Sequence, residues 1–182
     1  SINHLKARIL QLIPLSPALG AEVHGIDLLN MNDSLLASIH AAFLRYGVLV
    51  FRKQSLDPQS FLSFAQCLGE PIEYPFVKGL DAFPQIIEVK KLPDETLNFG
   101  GIWHSDTTYL EVPPMGTMLL SRELPPYGGD TQWTNLVTAY QQLSPQVQEF
   151  IDRTVADARE AGYVTTLLGR RRPIPELRAS NR

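Results

Sequence analysis

The residues best suited to chemistry lie within Trp103-His104-Ser105-Asp106. On an extended strand, residues i and i+2 face the same side, so the His104 imidazole and the Asp106 carboxylate can aim at one point. An imidazole and a carboxylate on one face supply two corners of a 2-His-1-carboxylate triad. That mixed N/O donor set holds Fe(II) while leaving positions open for a co-substrate and dioxygen. The same pair can also be a structural hydrogen bond, and spacing alone leaves both readings open. The surroundings favour the first. Gly100-Gly101 precedes the pair, Thr107-Thr108-Tyr109 follows it, and Gly128-Gly129-Asp130-Thr131-Gln132-Trp133 lies downstream.

Elements that would position these residues are readable in the first half. Residues 9–13 read as an opening strand, and Ala21-Glu22-Val23-His24 as a second short strand before a turn. Asn32-Asp33-Ser34 offers N-cap oxygens to a helix with Leu35, Leu36, Ile39, Phe43 and Tyr46 on one face, ended by Gly47. Val48-Leu49-Val50-Phe51 is a continuous apolar run, the pattern of a buried strand. Asp57-Pro58 opens a second helix with Phe61, Leu62, Ala65 and Leu68 inward, stopping at Gly69. Further on, residues 85–90, 116–121 and 131–134 have strand character. Helices are expected over 135–143, capped by Thr134, and over 145–161, capped by Ser144 and ended by Gly162. In the latter, Val147, Phe150, Ile151, Val155 and Ala158 can share a face. A small hairpin is expected around the Gly169 turn.

Composition bounds the function classes. The chain has 182 residues, 44% hydrophobic and 19% charged, which fits one folded domain with at most a small appendage. Its net charge of −3 argues against a generally nucleic-acid-coating protein, but that value averages two unlike segments. Residues 1–153 carry 10 basic and 16 acidic side chains, whereas residues 154–182 carry 6 arginines against Asp157, Glu160 and Glu176. No apolar run approaches the roughly 20 residues that span a bilayer. The start of the chain lacks the apolar region of a signal peptide, and the one cysteine, Cys67, cannot pair internally. A cytoplasmic protein without membrane association is therefore expected.

Taken together, residues 101–133 resemble the taurine dioxygenase family of Fe(II)/2-oxoglutarate-dependent oxygenases. Pro17-Ala18-Leu19-Gly20-Ala21-Glu22-Val23-His24-Gly25-Ile26-Asp27-Leu28, Val48-Leu49-Val50-Phe51-Arg52 and Phe64-Ala65-Gln66-Cys67-Leu68-Gly69-Glu70 are similar to that family's N-terminal segments. The resemblance implies an α+β fold, a double-stranded β-helix (jelly roll) with flanking helices. It also implies decarboxylation of 2-oxoglutarate to succinate, coupled to oxidation of a substrate C–H bond. His104 and Asp106 match the family's first two iron ligands, and Thr131 matches a threonine that helps bind the 2-oxoglutarate carboxylate. Without that context Thr131 reads equally as a turn-capping hydroxyl. Trp103 and Trp133 read as packing groups of core or pocket. Tyr74 stands where a sulfonate-binding member has a histidine; it can donate to a small anionic substrate or simply pack. Val77 and Gly100 replace an expected tyrosine and asparagine, which counts against taurine itself.

The family's second histidine ligand and its 2-oxoglutarate arginine lie far downstream of the aspartate. Here the histidines are His4, His24, His40 and His104, and none follows Asp106. His24 and His40 read as structural. The jelly roll is thus expected to be incomplete at its C-terminal end, with residues 1–150 as its front part and 151–182 as a helix end plus a basic, hairpin-like tail. Unpaired sheet edges and apolar faces would favour a homo-oligomer. Residues 145–182 resemble a stretch of bacterial family A DNA polymerases, so a fusion is also expected to fit. The alternative to a dioxygenase is then a noncatalytic binding module touching nucleic acid weakly through Arg170, Arg171 and Arg172; a solvated basic turn is the plainer account of those arginines.

Overall fold

The computed structural model describes residues 10–74, 77–96, 99–108, 110, 112–160, 163–165 and 171–173, with 154–160, 163–165 and 171–173 as backbone only. The chain divides into two compact units, one of residues 1–70 with 120–142, the other of residues 71–119 with 143–182.

The first unit is built on a three-stranded mixed sheet of β1 (Gln11–Pro14), β2 (Ala21–His24) and β3 (Leu49–Phe51), in the order β1-β2-β3. β1 runs antiparallel to β2, pairing Gln11 with His24 and Pro14 with Ala21. β3 runs parallel to β2, pairing Ala21 with Leu49 and Val23 with Phe51. A parallel pair needs a crossover, and helix α1 (Asp33–Tyr46) supplies it. Asn32 caps α1 by accepting from the Leu35 N–H at 2.9 Å. Gly47 ends it at φ 70, its N–H donating to the Phe43 carbonyl at 2.8 Å. A side chain on Gly47 would be strained at that φ and would also stand 2.9 Å from Leu19 Cδ1, so the glycine serves both turn and packing. From there the chain locks directly into the sheet: Gly20 N–H donates to the Tyr46 carbonyl and Ala21 N–H to the Val48 carbonyl, both at 2.9 Å.

The alternation of β2 sorts its side chains by face. Ala21 and Val23 are buried, in one core with Leu28, Ile39, Ala42, Leu56 and Phe64. Glu22 points the other way and takes His24 Nε2 at 2.8 Å and Arg52 Nε at 3.2 Å. Helix α2 (Pro58–Leu68) closes the core through Phe64, whose ring meets Phe51 edge-on at 6.1 Å between centroids. Asp57 caps α2, accepting from the Ser60 N–H at 2.7 Å. That bond, with the Ser60 hydroxyl and the charge of Arg122, holds the Asp57 carboxyl below the usual carboxylate range. Helix α3 (Leu136–Gln141) belongs to the same unit; its N-cap Asn135 also donates from Nδ2 to the Ala18 carbonyl at 2.8 Å, which ties segment 120–142 to the loop before β2.

In the second unit, helix α4 (Pro145–Glu160) starts at Ser144, whose carbonyl accepts from the N–H groups of Val147 and Gln148 at 3.0 Å. β4 (Tyr163–Thr165) and β5 (Arg171–Pro173) pair antiparallel as a hairpin.

Several expectations need correction. The opening strand is Gln11–Pro14, with Leu10 outside it; residue 9 lies outside the described residues. β3 is half-buried along its length, because it is an edge strand of this small sheet. On α2 the buried residue is Phe64, with Phe61, Leu62, Ala65 and Leu68 half-buried around it. The cap of α3 is Asn135, not Thr134, and on α4 Val147 and Phe150 are exposed. Residues 85–90, 116–121 and 131–134 form no strand among the described residues. A strand exists only where a neighbour accepts its ladder, and among the described residues none pairs with these segments. What the described residues build is therefore a small mixed sheet with helices.

These contacts give three tests. Asn32→Ala should destabilise the chain by about 1 kcal/mol while Asn32→Asp keeps the cap, and Phe64→Ala should cost about 3–5 kcal/mol, both read by denaturant melts. Because Asp57 is depressed in the folded chain, its contribution is present above the ordinary aspartate range near about pH 4 and is lost as pH falls through its folded value. Asp57→Asn retains a capping oxygen without a titratable proton, so its stability should fall less than that of the wild type on acidification.

Candidate metal centre in the second unit

His104 and Asp106 do meet, but not on a strand. Residues 101–106 form an irregular loop, and the turn of that loop replaces the expected i, i+2 alternation. His104 Nε2 lies 3.0 Å from Asp106 Oδ1, and His104 Nδ1 lies 2.7 Å from the Ile102 carbonyl oxygen. The two side chains are half-exposed, 38% and 52%.

The contacts fix the chemistry of the ring. A carbonyl oxygen only accepts, so Nδ1 must carry the proton that joins it to Ile102. In a neutral imidazole the other nitrogen is then a bare lone pair. Here that lone pair faces a carboxylate oxygen, which is also an acceptor. Two acceptors at 3.0 Å repel unless a cation stands between them, either a second proton on the ring or a metal ion. The separation suits a metal. Two donors at about 2.1 Å from an ion and about 90° apart are about 3.0 Å from one another. A ligating histidine also commonly donates its second N–H to a carbonyl, which sets the tautomer and aims the ring. The donor chemistry therefore fits a divalent first-row metal in part: among the described residues, no group of three or more His, Cys, Asp or Glu side chains converges.

The backbone on both sides of the pair is special. Gly100 sits at φ 66, and a Cβ there would be 3.2 Å from His104 Cε1. Thr107, directly after Asp106, has φ 41 and is 7% exposed. A positive φ is costly for a β-branched residue, so the surrounding structure must hold it.

Tyr74 belongs to the same unit and is half-buried. Burial pushes its phenol above the usual range, and the negative charge of Asp106 pushes it further. At neutral pH Tyr74 is thus an uncharged O–H group under the influence of the donor pair. It lines an open cleft of about 440 Å³ together with Glu73, Val77, Lys78, Leu80 and Pro84. Lys78 Nζ and Asp81 Oδ1 form an exposed ion pair at the cleft.

The other expected site residues fall elsewhere. Thr131 is exposed and lies in the first unit, whereas His104 and Asp106 lie in the second. Trp103 and Trp133 are 41% and 50% exposed, so neither is a core residue. In the first unit Trp133 lines a cleft of about 180 Å³ with Leu15, Leu19, Val48 and Val50. His24 is engaged with Glu22, and His40 is exposed on α1. Arg170 lies outside the described residues, and Arg171 and Arg172 are described only as backbone of β5. Cys67 is free and exposed. No helix among the described residues is long and apolar enough to cross a membrane. Sequence reading missed Ile102, whose contribution is a main-chain carbonyl and leaves no mark in residue type. It also missed that Gly100 approaches His104, although the Gly100-Gly101 pair marked a place where backbone comes close.

The chain is 34% identical over 142 residues to an alpha-ketoglutarate-dependent sulfate ester dioxygenase of Pseudomonas putida, covering 77% of this chain and 46% of that protein. It is 34% identical over 149 residues to an alkylsulfatase of Acinetobacter baylyi, covering 81% and 46%. Among solved structures, a taurine dioxygenase from Burkholderia xenovorans superposes with a TM-score of 0.61 at 38% identity, over 79% of this chain and 51% of that one. The chain thus spans about half the length of the relatives it matches. The matched family profile covers residues 11–176. On that match the chain belongs to the taurine catabolism dioxygenase TauD, TfdA family.

Proposed function

We propose that this chain carries the metal-donor segment of an Fe(II)/2-oxoglutarate-dependent dioxygenase with a double-stranded β-helix fold, acting on a small organic anion. One observation carries the reading: His104 Nε2 and Asp106 Oδ1 face each other at 3.0 Å while His104 Nδ1 is committed to the Ile102 carbonyl. In this reading His104 and Asp106 are two of the family's three iron ligands. A third donor comes from sequence or a chain joined to these 182 residues. Thr131 contributes its hydroxyl to the 2-oxoglutarate carboxylate. When bound, Fe(II) with 2-oxoglutarate and dioxygen would supply the oxidising power for a C–H bond, one oxygen atom ending in succinate as carbon dioxide leaves and the other in the oxidised substrate.

The protein's own part is positioning. The Ile102 carbonyl keeps the imidazole proton on Nδ1, so that Nε2 stays free to donate its lone pair. The 2-His-1-carboxylate arrangement leaves positions open for the co-substrate and dioxygen. Tyr74, kept protonated by burial and by Asp106, is a hydrogen-bond donor beside the donor pair and suits an anionic group on the substrate. Support for an anion comes from the relatives' names: a sulfate ester dioxygenase, an alkylsulfatase and a (S)-phenoxypropionate dioxygenase of Sphingobium herbicidovorans.

Anaerobic titration of the chain with Fe(II) and 2-oxoglutarate tests the iron site. A visible metal-to-ligand charge-transfer band is expected, formed by the chain alone or with a histidine-bearing C-terminal fragment added, and abolished by His104→Ala or Asp106→Ala. No band under either condition would remove the reading. Tyr74 has its own test in ultraviolet titration of the six tyrosines. It should ionise at the alkaline end, Tyr74→Phe should delete that phase, and Asp106→Asn should lower it only in part, because burial is the larger cause. Since the folded value is raised, the associated stability is present below about pH 10 and is lost as pH rises through the folded value.

A further inference from the structure

We propose that Asn135 is a positioning residue for Thr131: its side-chain amide clamps the segment carrying the co-substrate hydroxyl to the loop before β2. The inference rests on the assignment of Thr131 to the 2-oxoglutarate carboxylate and concerns how that hydroxyl is held.

Thr131 has little else to fix it. Residues 131–134 pair with no strand among the described residues, and all are exposed. Upstream lie Gly128 and Gly129, at φ 77 and φ 71. A glycine pair supplies a bend and little restraint. Restraint therefore has to come from the downstream end, where Asn135 is half-buried.

The Asn135 side chain works at both of its ends. Oδ1 accepts from the Thr138 N–H at 3.0 Å, which caps α3, and Nδ2 donates to the Ala18 carbonyl at 2.8 Å. These partners fix which way the amide points, because an N–H only donates and a carbonyl only accepts. The loop presenting Ala18 is itself braced. Ser16 Oγ donates to the Leu19 carbonyl at 2.6 Å and accepts from the Leu19 N–H at 3.0 Å. Leu15 N–H donates to the Gly20 carbonyl, and Gly20 N–H to the Tyr46 carbonyl, both at 2.9 Å. The clamp thus runs from the sheet through a closed loop to the Thr131 segment. Within that segment Trp133 lines the cleft with Leu15, Leu19, Val48 and Val50, so its indole reports where the segment sits.

Cap and clamp are separable. Aspartate caps a helix as well as asparagine does and has the same shape, yet an ionised carboxylate offers only acceptors. Against the Ala18 carbonyl it would set oxygen against oxygen. Asn135→Asp therefore keeps the cap and releases the clamp, whereas Asn135→Ala loses both.

The test titrates 2-oxoglutarate into the anaerobic Fe(II) form, under the conditions that give the wild type its charge-transfer band. Asn135→Asp should weaken 2-oxoglutarate about 5-fold or more, the worth of one ordinary hydrogen bond. The loss should persist in about 0.5 M salt, where repulsion by the new charge is screened. Affinity for Fe(II) alone should stay at the wild-type value, because His104 and Asp106 belong to the other unit. In the metal-free chain, fluorotryptophan labelling gives two 19F signals, one for each tryptophan, and Trp133→Phe assigns them. Asn135→Asp should raise the solvent-isotope shift of the Trp133 signal and leave that of Trp103 unchanged. Far-ultraviolet circular dichroism at wild-type strength establishes that the variants are folded. Wild-type 2-oxoglutarate affinity in Asn135→Asp would overturn the proposal. So would a loss confined to Asn135→Ala, since the cap alone would then be at work, and so would an unmoved Trp133 signal. Absence of the band in the wild type would instead sink the iron reading, and the Trp133 signal would still decide the clamp.

Discussion

The second unit turns on one electrostatic constraint: a histidine ring with an acceptor against each nitrogen. Ile102 and Asp106 both present oxygens, and a neutral imidazole has one proton to satisfy them. The arrangement is settled only by an added positive charge. A proton would make it a plain ion pair, half-exposed and worth little. A metal ion would use the same geometry, because a carbonyl-held Nδ1–H is the usual way a ligating histidine is oriented. Membership of the dioxygenase family weights the choice towards the metal. Left-handed backbone at Gly100 and Thr107 flanks this loop, and the raised phenol of Tyr74 reflects burial first and the charge of Asp106 second.

The first unit answers a different demand, that of holding a small sheet together. β2 is its central strand, and the burial of Ala21 and Val23 against Ile39, Ala42 and Phe64 commits one face to the helices. Main-chain bonds from Gly20 to Tyr46 at the end of α1 and from Ala21 to Val48 just before β3 pin the crossover. Asn135 brings the segment of Thr131 into this unit by its bond to Ala18. The expected co-substrate residue is thus anchored to the sheet-bearing unit, while the expected metal donors belong to the loop-rich one.

Much of the first unit was legible because its signals are local. Asn32 and Gly47 bracket α1, Asp57-Pro58 and Gly69 bracket α2, and a capping side chain acts on a backbone group only three residues away. The later strands were not legible in the same way. Residues 116–121 have the right residue types, yet strand formation depends on a partner that residue type does not encode. The site was half legible. His-x-Asp announced the pair, and the wrong element was assigned to it, because i, i+2 convergence arises from a turn as readily as from a strand. The Ile102 carbonyl was invisible, as any main-chain ligand is. Thr107 gave no warning either, since a positive φ at a β-branched residue is imposed by its surroundings.

The account depends on a cation being shared by His104 and Asp106, and location is the most direct evidence for that. Crystals of the chain grown with Mn(II), or with Fe(II) under anaerobic conditions, would give an anomalous difference map at the metal edge. The account predicts a peak within coordination distance of both His104 Nε2 and Asp106 Oδ1, with Nδ1 still on the Ile102 carbonyl. A map with no peak there, and with the two side chains joined by a direct N–H···O hydrogen bond at full metal concentration, would contradict it.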